Sequence, residues 1–97
     1  MHRLQAARHA YAETRRDGAP HLVTASEIET RFMTLSERER QVLHRVVSAQ
    51  SNKQIARDLG IAEVTVKLHR GTMTRKMAAT TLIDLVHMWD TMVRAAD

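Results

Sequence analysis

The chain has 97 residues, of which 43% are hydrophobic, 27% charged and 3% aromatic, and its formal net charge is +4. This length accommodates one small domain, and the absence of cysteine excludes disulfides and thiolate metal sites and is typical of the reducing cytoplasm. No apolar run approaches the roughly 20 residues that a membrane-spanning helix requires, so we expect a cytoplasmic protein that does not associate with membranes.

The first 33 residues are predicted to be a helical leader or inter-domain linker. Residues 2–16 have helical spacing, and the sequence DGAP at 17–20 ends that helix because proline cannot continue it. A second helix is predicted to begin at Ser26, since Glu29 follows at the three-residue spacing of a capping box. The segment has too few apolar residues to fold alone, so we place the domain boundary after residue 33.

Residues 34–97 are predicted to form a domain of four helices with no strand, so the fold class is all-α. Ser36 and Glu39 form a capping box at the start of the first helix. The second and third helices are predicted over 52–59 and about 62–77. The last helix is predicted to begin at Thr80 or Thr81 and to bury one apolar stripe, formed by Leu82, Leu85, Val86 and Trp89.

The second and third helices have the residues that a helix-turn-helix requires. The first of its two helices needs a small residue where the second presses against it, and the turn needs a residue that tolerates left-handed backbone angles. The second helix needs an apolar residue that faces back into the crossing. Ala56, Gly60 and Val66 meet these three needs in the right order.

Helical periodicity divides residues 62–77 into two faces. The inward face is predicted to contain Val66, Met73 and Met77, with His69 and Arg70 on its flanks. Arg70 is expected to pair with Glu37 or Glu39, and a DNA contact is the alternative. Major-groove readers use lysine for guanine edges and short apolar groups for the thymine methyl. The outward face is predicted to contain Val64, Lys67, Leu68, Gly71 and Arg75, and of these Lys67 and the apolar Val64 and Leu68 suit that task.

The net positive charge lies within residues 51–77, and the rest of the chain has equal numbers of acidic and basic residues. This distribution favours a polyanion as the partner. Arg75 and Lys76 are either phosphate contacts or part of a solvated surface. The histidines are dispersed, and no glycine-rich phosphate loop, nucleophilic cysteine or metal-ligand cluster is present, so we expect no metal, no cofactor, no small-molecule ligand and no enzymatic activity.

The sequence LSERERQVL at 35–43, followed by SNKQIARDLGIAEVTVKLHRGTMTRKM at 51–77, resembles the LuxR/FixJ family of DNA-binding effector domains. The resemblance covers roughly residues 33–92. It implies that the helix at 62–77 is the recognition helix and that the last helix, at 81–93, makes a homodimer. It also implies base-facing positions at Val64, Lys67, Leu68 and Gly71, and phosphate contacts at Asn52, Lys53, Thr65 and His69.

The FixJ-type response regulators are the subgroup that the chain most resembles, and in them a receiver domain precedes the effector domain. This sequence has no receiver, so we expect an isolated effector piece or a single-domain relative. The resulting hypothesis is a dimeric, sequence-specific regulator of transcription that binds double-stranded DNA. The alternative is a protein-interaction module, similar to region 4 of sigma factors, that pairs with a full-length regulator or with RNA polymerase.

Overall fold

The computed structural model describes residues 23–96, and the helix predicted over residues 2–16 lies outside this range. The described residues form helices and no strand, in agreement with the predicted all-α class. None of these helices has the length and apolar character that crossing a membrane demands. The five helices of the described part are α1 (Ala25–Met33), α2 (Glu37–Val47), α3 (Asn52–Leu59), α4 (Glu63–Met77) and α5 (Leu82–Ala96).

Reciprocal capping boxes begin α2 and α3. The Ser36 hydroxyl accepts a hydrogen bond from the Glu39 N–H over 3.1 Å, and the Glu39 carboxylate accepts one from the Ser36 N–H over 2.8 Å. Ser51 and Gln54 repeat the same pair of bonds at the start of α3. These bonds satisfy N–H groups that have no partner inside the helix, which explains where both helices begin.

The predicted start of α1 was wrong by two residues. Thr24, rather than Ser26, is the N-cap, and its capping-box partner is Glu27 rather than Glu29. The two candidate boxes have the same spacing, so the local sequence does not distinguish them. The earlier start adds half a turn to the N-terminal side of the helix, where Val23 and Ala25 are half-buried.

Helix α1 packs on the same core as the helices that follow it. Ile28 is 2% exposed and belongs to the core cluster, and Phe32 packs against that cluster from its edge. The ring of Phe32 lies edge-on to Trp89 of α5 with centroids 6.3 Å apart, and the Arg40 guanidinium lies 4.8 Å from the Phe32 ring centroid. The side chain of Arg31 donates to the backbone carbonyl of Met77 over 3.1 Å. Helix α1 is therefore attached to α2, α4 and α5.

Three of the turns between the described helices use left-handed backbone angles. Gly60, with φ of 69°, ends α3 as predicted, and its N–H bonds back to the end of that helix. Ala78 ends α4 with φ of 58°, and Ala49, between α2 and α3, has φ of 68°. Left-handed angles place the Cβ of an alanine too close to backbone atoms, so both alanines are strained where glycine would not be.

The predicted apolar stripe of α5 was partly wrong. Leu85 is buried and Trp89 is half-buried, but the inward face continues through Met88 rather than through Leu82 and Val86. The helix begins after Thr81, whose hydroxyl accepts from the Asp84 N–H. The apolar residues left on the exposed side of α5 are Leu82, Ile83, Val86 and Val93.

Candidate nucleic-acid interface

Helix α4 has one face in the core and one in solvent, as its periodicity predicts. Val66 and Met73 are fully buried and Met77 is nearly so, because α2 and α3 both pack against this side. On the opposite side Val64 is 71% exposed and Leu68 is 68% exposed. The packing of the buried face therefore keeps these two large apolar side chains exposed to solvent.

Lys67 and Gly71 lie on the same exposed side as Val64 and Leu68. A Cβ added at Gly71 would meet no neighbouring heavy atom within 4 Å, so the glycine is not required by packing inside this chain. Glycine in the middle of a helix lowers its stability by roughly 1 kcal/mol relative to alanine. Gly71 therefore leaves the centre of this surface open to close approach, at a cost in helix stability that no contact within residues 23–96 explains.

The residues predicted to contact phosphates lie at different positions along α3 and α4. Lys53 in the first turn of α3 is exposed, and Thr65 and His69 are half-buried on the side of α4. Arg75 is exposed near the end of α4, where its guanidinium lies 3.4 Å from the Thr72 hydroxyl. Asn52, the first residue of α3, is half-buried.

Lys76, predicted as a phosphate contact or a solvated residue, is engaged with the core side of the domain. Its Nζ lies 2.9 Å from Oε1 of Glu39 and 3.3 Å from the carbonyl oxygen of Thr34. The backbone N–H of Ser36, followed by the ammonium of Lys76, holds the pKa of Glu39 below its ordinary value. Lys76 thus neutralises a buried carboxylate, and its charge is less available to a phosphate.

The predicted pairing of Arg70 with Glu37 or Glu39 was wrong. Nη1 of Arg70 instead donates to Oδ1 of Asn52 over 2.9 Å, and Glu39 is occupied by Lys76. Sequence reasoning missed this bond because its two residues are 18 positions apart and no local spacing relates them. The crossing of α3 over α4, which depends on packing, brings them together.

Helix α3, the left-handed turn at Gly60 and the two-faced helix α4 define a helix-turn-helix protein, the class that binds DNA through the exposed side of its second helix. The model of one protein family, described as bacterial regulatory proteins of the luxR family, matches residues 33–89. The chain belongs to this family, whose members are DNA-binding regulators and not enzymes. The resemblance inferred from the sequence is thereby confirmed.

The relatives of this chain include proteins that are named as response regulators. Nodulation protein W of Bradyrhizobium diazoefficiens is 44% identical over 69 residues, a match that covers 71% of this chain and 30% of that protein. Transcriptional regulatory protein FixJ of Rhizobium meliloti is 52% identical over 64 residues, covering 66% and 31%. This chain therefore spans about 30% of the length of these curated relatives.

Two solved structures have the same fold. Full-length FixJ from B. japonicum superposes with a TM-score of 0.67 and 36% identity, and the match covers 72% of this chain and 34% of that one. The response regulator StyR superposes with a TM-score of 0.65 and 39% identity, covering 90% of this chain and 39% of that one.

Proposed function

We propose that this chain is a sequence-specific transcriptional regulator that reads the DNA major groove as a dimer, with α4 as the recognition helix. One observation carries the proposal: Val64 and Leu68 stand exposed beside Lys67 on a helix whose other face is fixed in the core. Apolar groups of this size match the thymine methyl, and lysine matches the acceptor atoms of guanine. Exposure of two large apolar side chains to water beside a lysine is unfavourable unless a binding partner covers them.

The surrounding basic and polar residues supply contacts that do not depend on base sequence. Lys53 and Arg75 are exposed, and Asn52, Thr65 and His69 have partly accessible side chains. Phosphate contacts of this kind hold a protein in register on the duplex and make its affinity fall steeply with salt. We assign the discrimination between sequences to Val64, Lys67, Leu68 and Gly71.

The exposed apolar side of α5 supports a homodimer. Ile83, Val86 and Val93 follow one another at helical spacing, and Ile83 is 65% exposed. Two copies joined along this stripe would present their recognition helices to half-sites roughly one helical turn, about 10 base pairs, apart. We expect Ile83→Lys to abolish the dimer and to leave the monomer folded. Met33→Lys, at an exposed apolar residue of α1, should affect neither folding nor dimerisation.

The experiment that tests the function is selection of bound duplexes from a random library at low and moderate salt. We expect a motif with two half-sites. In Lys67→Ala the discrimination between the selected duplex and an unrelated one should fall about 10- to 100-fold, as one base contact predicts. Lys53→Ala, the matched control, should weaken binding to both duplexes equally.

Binding without any enriched motif would instead favour the protein-interaction alternative, for which capture of RNA polymerase or of a full-length regulator is the direct assay.

A further inference from the structure

A side-chain hydrogen bond joins the two helices of the helix-turn-helix. Nη1 of Arg70, near the middle of α4, donates to Oδ1 of Asn52, the first residue of α3, and the bond is partly buried. Ala56 and Val66 pack the crossing itself, so the Arg70–Asn52 bond acts at a different point. It holds the N-terminus of α3 against the side of α4.

The guanidinium of Arg70 also determines which way the Asn52 amide faces. A guanidinium has donors and no acceptor, so it pairs with the amide oxygen and never with the amide nitrogen. The two N–H groups of Nδ2 therefore point away from Arg70, and within residues 23–96 the Asn52 side chain forms no other hydrogen bond. Such donors at the start of a helix suit a phosphate oxygen.

The positive charge of Arg70 is not matched by a carboxylate in the described part of the chain. Glu39 pairs with Lys76, and Asp58 pairs with Arg45 over 3.0 Å. Arg70 is instead paired with a neutral amide, so its bond orients the Asn52 side chain without neutralising a carboxylate.

We propose that Arg70 is a positioning residue for DNA binding: it fixes the N-terminus of α3 on α4 and directs the amide donors of Asn52 towards the phosphate backbone. The inference rests on the function proposed above. It assigns the phosphate contact to Asn52, while Arg70 acts through Asn52.

A double-mutant cycle on the full chain tests this assignment, with the selected duplex as the probe. Asn52→Ala and Arg70→Met should each weaken binding about tenfold, the loss expected for one hydrogen bond to a charged group. The double variant should also lose about tenfold and not about a hundredfold, because both changes remove one contact. Arg57→Met, an equal loss of charge on the exposed side of α3, should change affinity less than about threefold.

Three further readouts separate positioning from a purely structural or direct role. Asn52→Asp keeps the acceptor for Arg70 and loses the donors, so this variant should melt at or above the temperature of the unaltered chain and bind DNA more weakly than Asn52→Ala. Arg70→Lys keeps the charge but not the planar geometry, so affinity should recover only in part. The salt dependence of Arg70→Met should match that of Asn52→Ala.

The results that would overturn the inference are distinct from those that would overturn the function. If the unaltered chain binds the selected duplex while the two losses multiply, Arg70 contacts DNA by itself and the positioning role is wrong. Unchanged affinity in Arg70→Met, with a lower melting temperature, leaves a structural bond and also contradicts the inference. Absence of DNA binding by the unaltered chain removes the proposed function and the inference together.

Discussion

The ammonium of Lys76 lies 2.9 Å from the carboxylate of Glu39, so the last turn of α4 is joined to the first turn of α2. The Glu39 side chain is 8% exposed and that of Lys76 is 38% exposed. The same carboxylate oxygen accepts the Ser36 N–H over 2.8 Å, which makes Glu39 both a helix cap and the buried half of an ion pair. This arrangement anchors α4 at the end opposite to the turn at Gly60.

Removal of Lys76 should destabilise the fold. Lys76→Met leaves a buried carboxylate without its cation, and we expect the free energy of unfolding to fall by about 1–2 kcal/mol, less than for a fully buried pair because Lys76 is part-exposed. Urea denaturation of the full chain measures the change. Arg75→Met, at the exposed neighbouring position, is the matched control and should stay within about 0.5 kcal/mol. An equal loss in both variants would show that the ion pair contributes nothing specific.

Stability should fall in acid through Glu39 and Asp84. The Ser36 N–H and Lys76 lower the pKa of Glu39 from 4.5, and the backbone N–H of Thr80, followed by groups of Thr81, lowers the pKa of Asp84 from 3.8. The unfolded chain then takes up protons more readily than the folded chain, so this stabilisation is complete above about pH 4.5 and is lost as the pH falls through the folded-state pKa values.

Denaturation midpoints measured across the acid range test this assignment. Glu39→Gln keeps an oxygen that can accept the Ser36 N–H, as Gln54 does for Ser51 in α3, but it cannot titrate. The variant should therefore lose part of the slope of stability against pH, and the combined variant with Asp84→Asn should lose more. A slope unchanged in both would exclude these two carboxylates as its source.

Replacement of Ala78, which ends α4 with left-handed backbone angles, by glycine should stabilise the folded protein. Ala78→Gly removes the steric strain at φ of 58°, and after the entropy cost in the unfolded chain we expect a gain of up to about 1 kcal/mol. Gly60→Ala is the reverse change at φ of 69°, where the added Cβ meets no neighbour within 4 Å. It should cost about 1 kcal/mol through backbone strain alone. Thermal denaturation would contradict this account if both changes had the same sign.

Gly71→Ala should raise stability and lower DNA affinity at the same time. The position is in the middle of α4 and is open, so alanine should add roughly 1 kcal/mol to the free energy of unfolding. If DNA approaches the helix closely here, the new methyl group would weaken binding of the selected duplex. Denaturation and duplex titration on the same preparation measure both effects. A gain in stability without any loss of affinity would remove Gly71 from the proposed interface.

Helix α1 should contribute to the stability of the domain. Ile28→Ala opens a cavity at a residue that is 2% exposed, and we expect a loss of about 2–4 kcal/mol. Glu29→Ala, one residue further and exposed, should stay within about 0.5 kcal/mol. Because Trp89 is the one tryptophan of the chain and contacts Phe32, its fluorescence reports whether α1 is docked. Equal stability of the two variants would mean that α1 is dispensable for folding.

Much of the site could be predicted from local patterns in the sequence. The buried and exposed faces of α4 follow from helical periodicity, because Val66, Met73 and Met77 fall on one side of the helix and are the residues that are buried. The turn at Gly60 and the box at Ser36 depend on residues within four positions of one another. Their stability depends on neighbouring residues, so they form independently of how the helices pack against one another. Family membership follows from the same patterns.

Contacts between distant segments depended on the tertiary fold. The capping-box spacing is the same at Thr24 and at Ser26, so the local sequence allows either residue to cap α1. In the folded protein Thr24 is the cap, and Ile28 is buried in the core. Arg70 meets Asn52 rather than a glutamate, and Lys76 meets Glu39, because the crossing of α4 over α2 and α3 sets which side chains are within reach. The rotation of α5 left Leu82 and Val86 outside in the same way. Periodicity specifies which faces are apolar, whereas partners on different helices are chosen by the packing that brings those faces together.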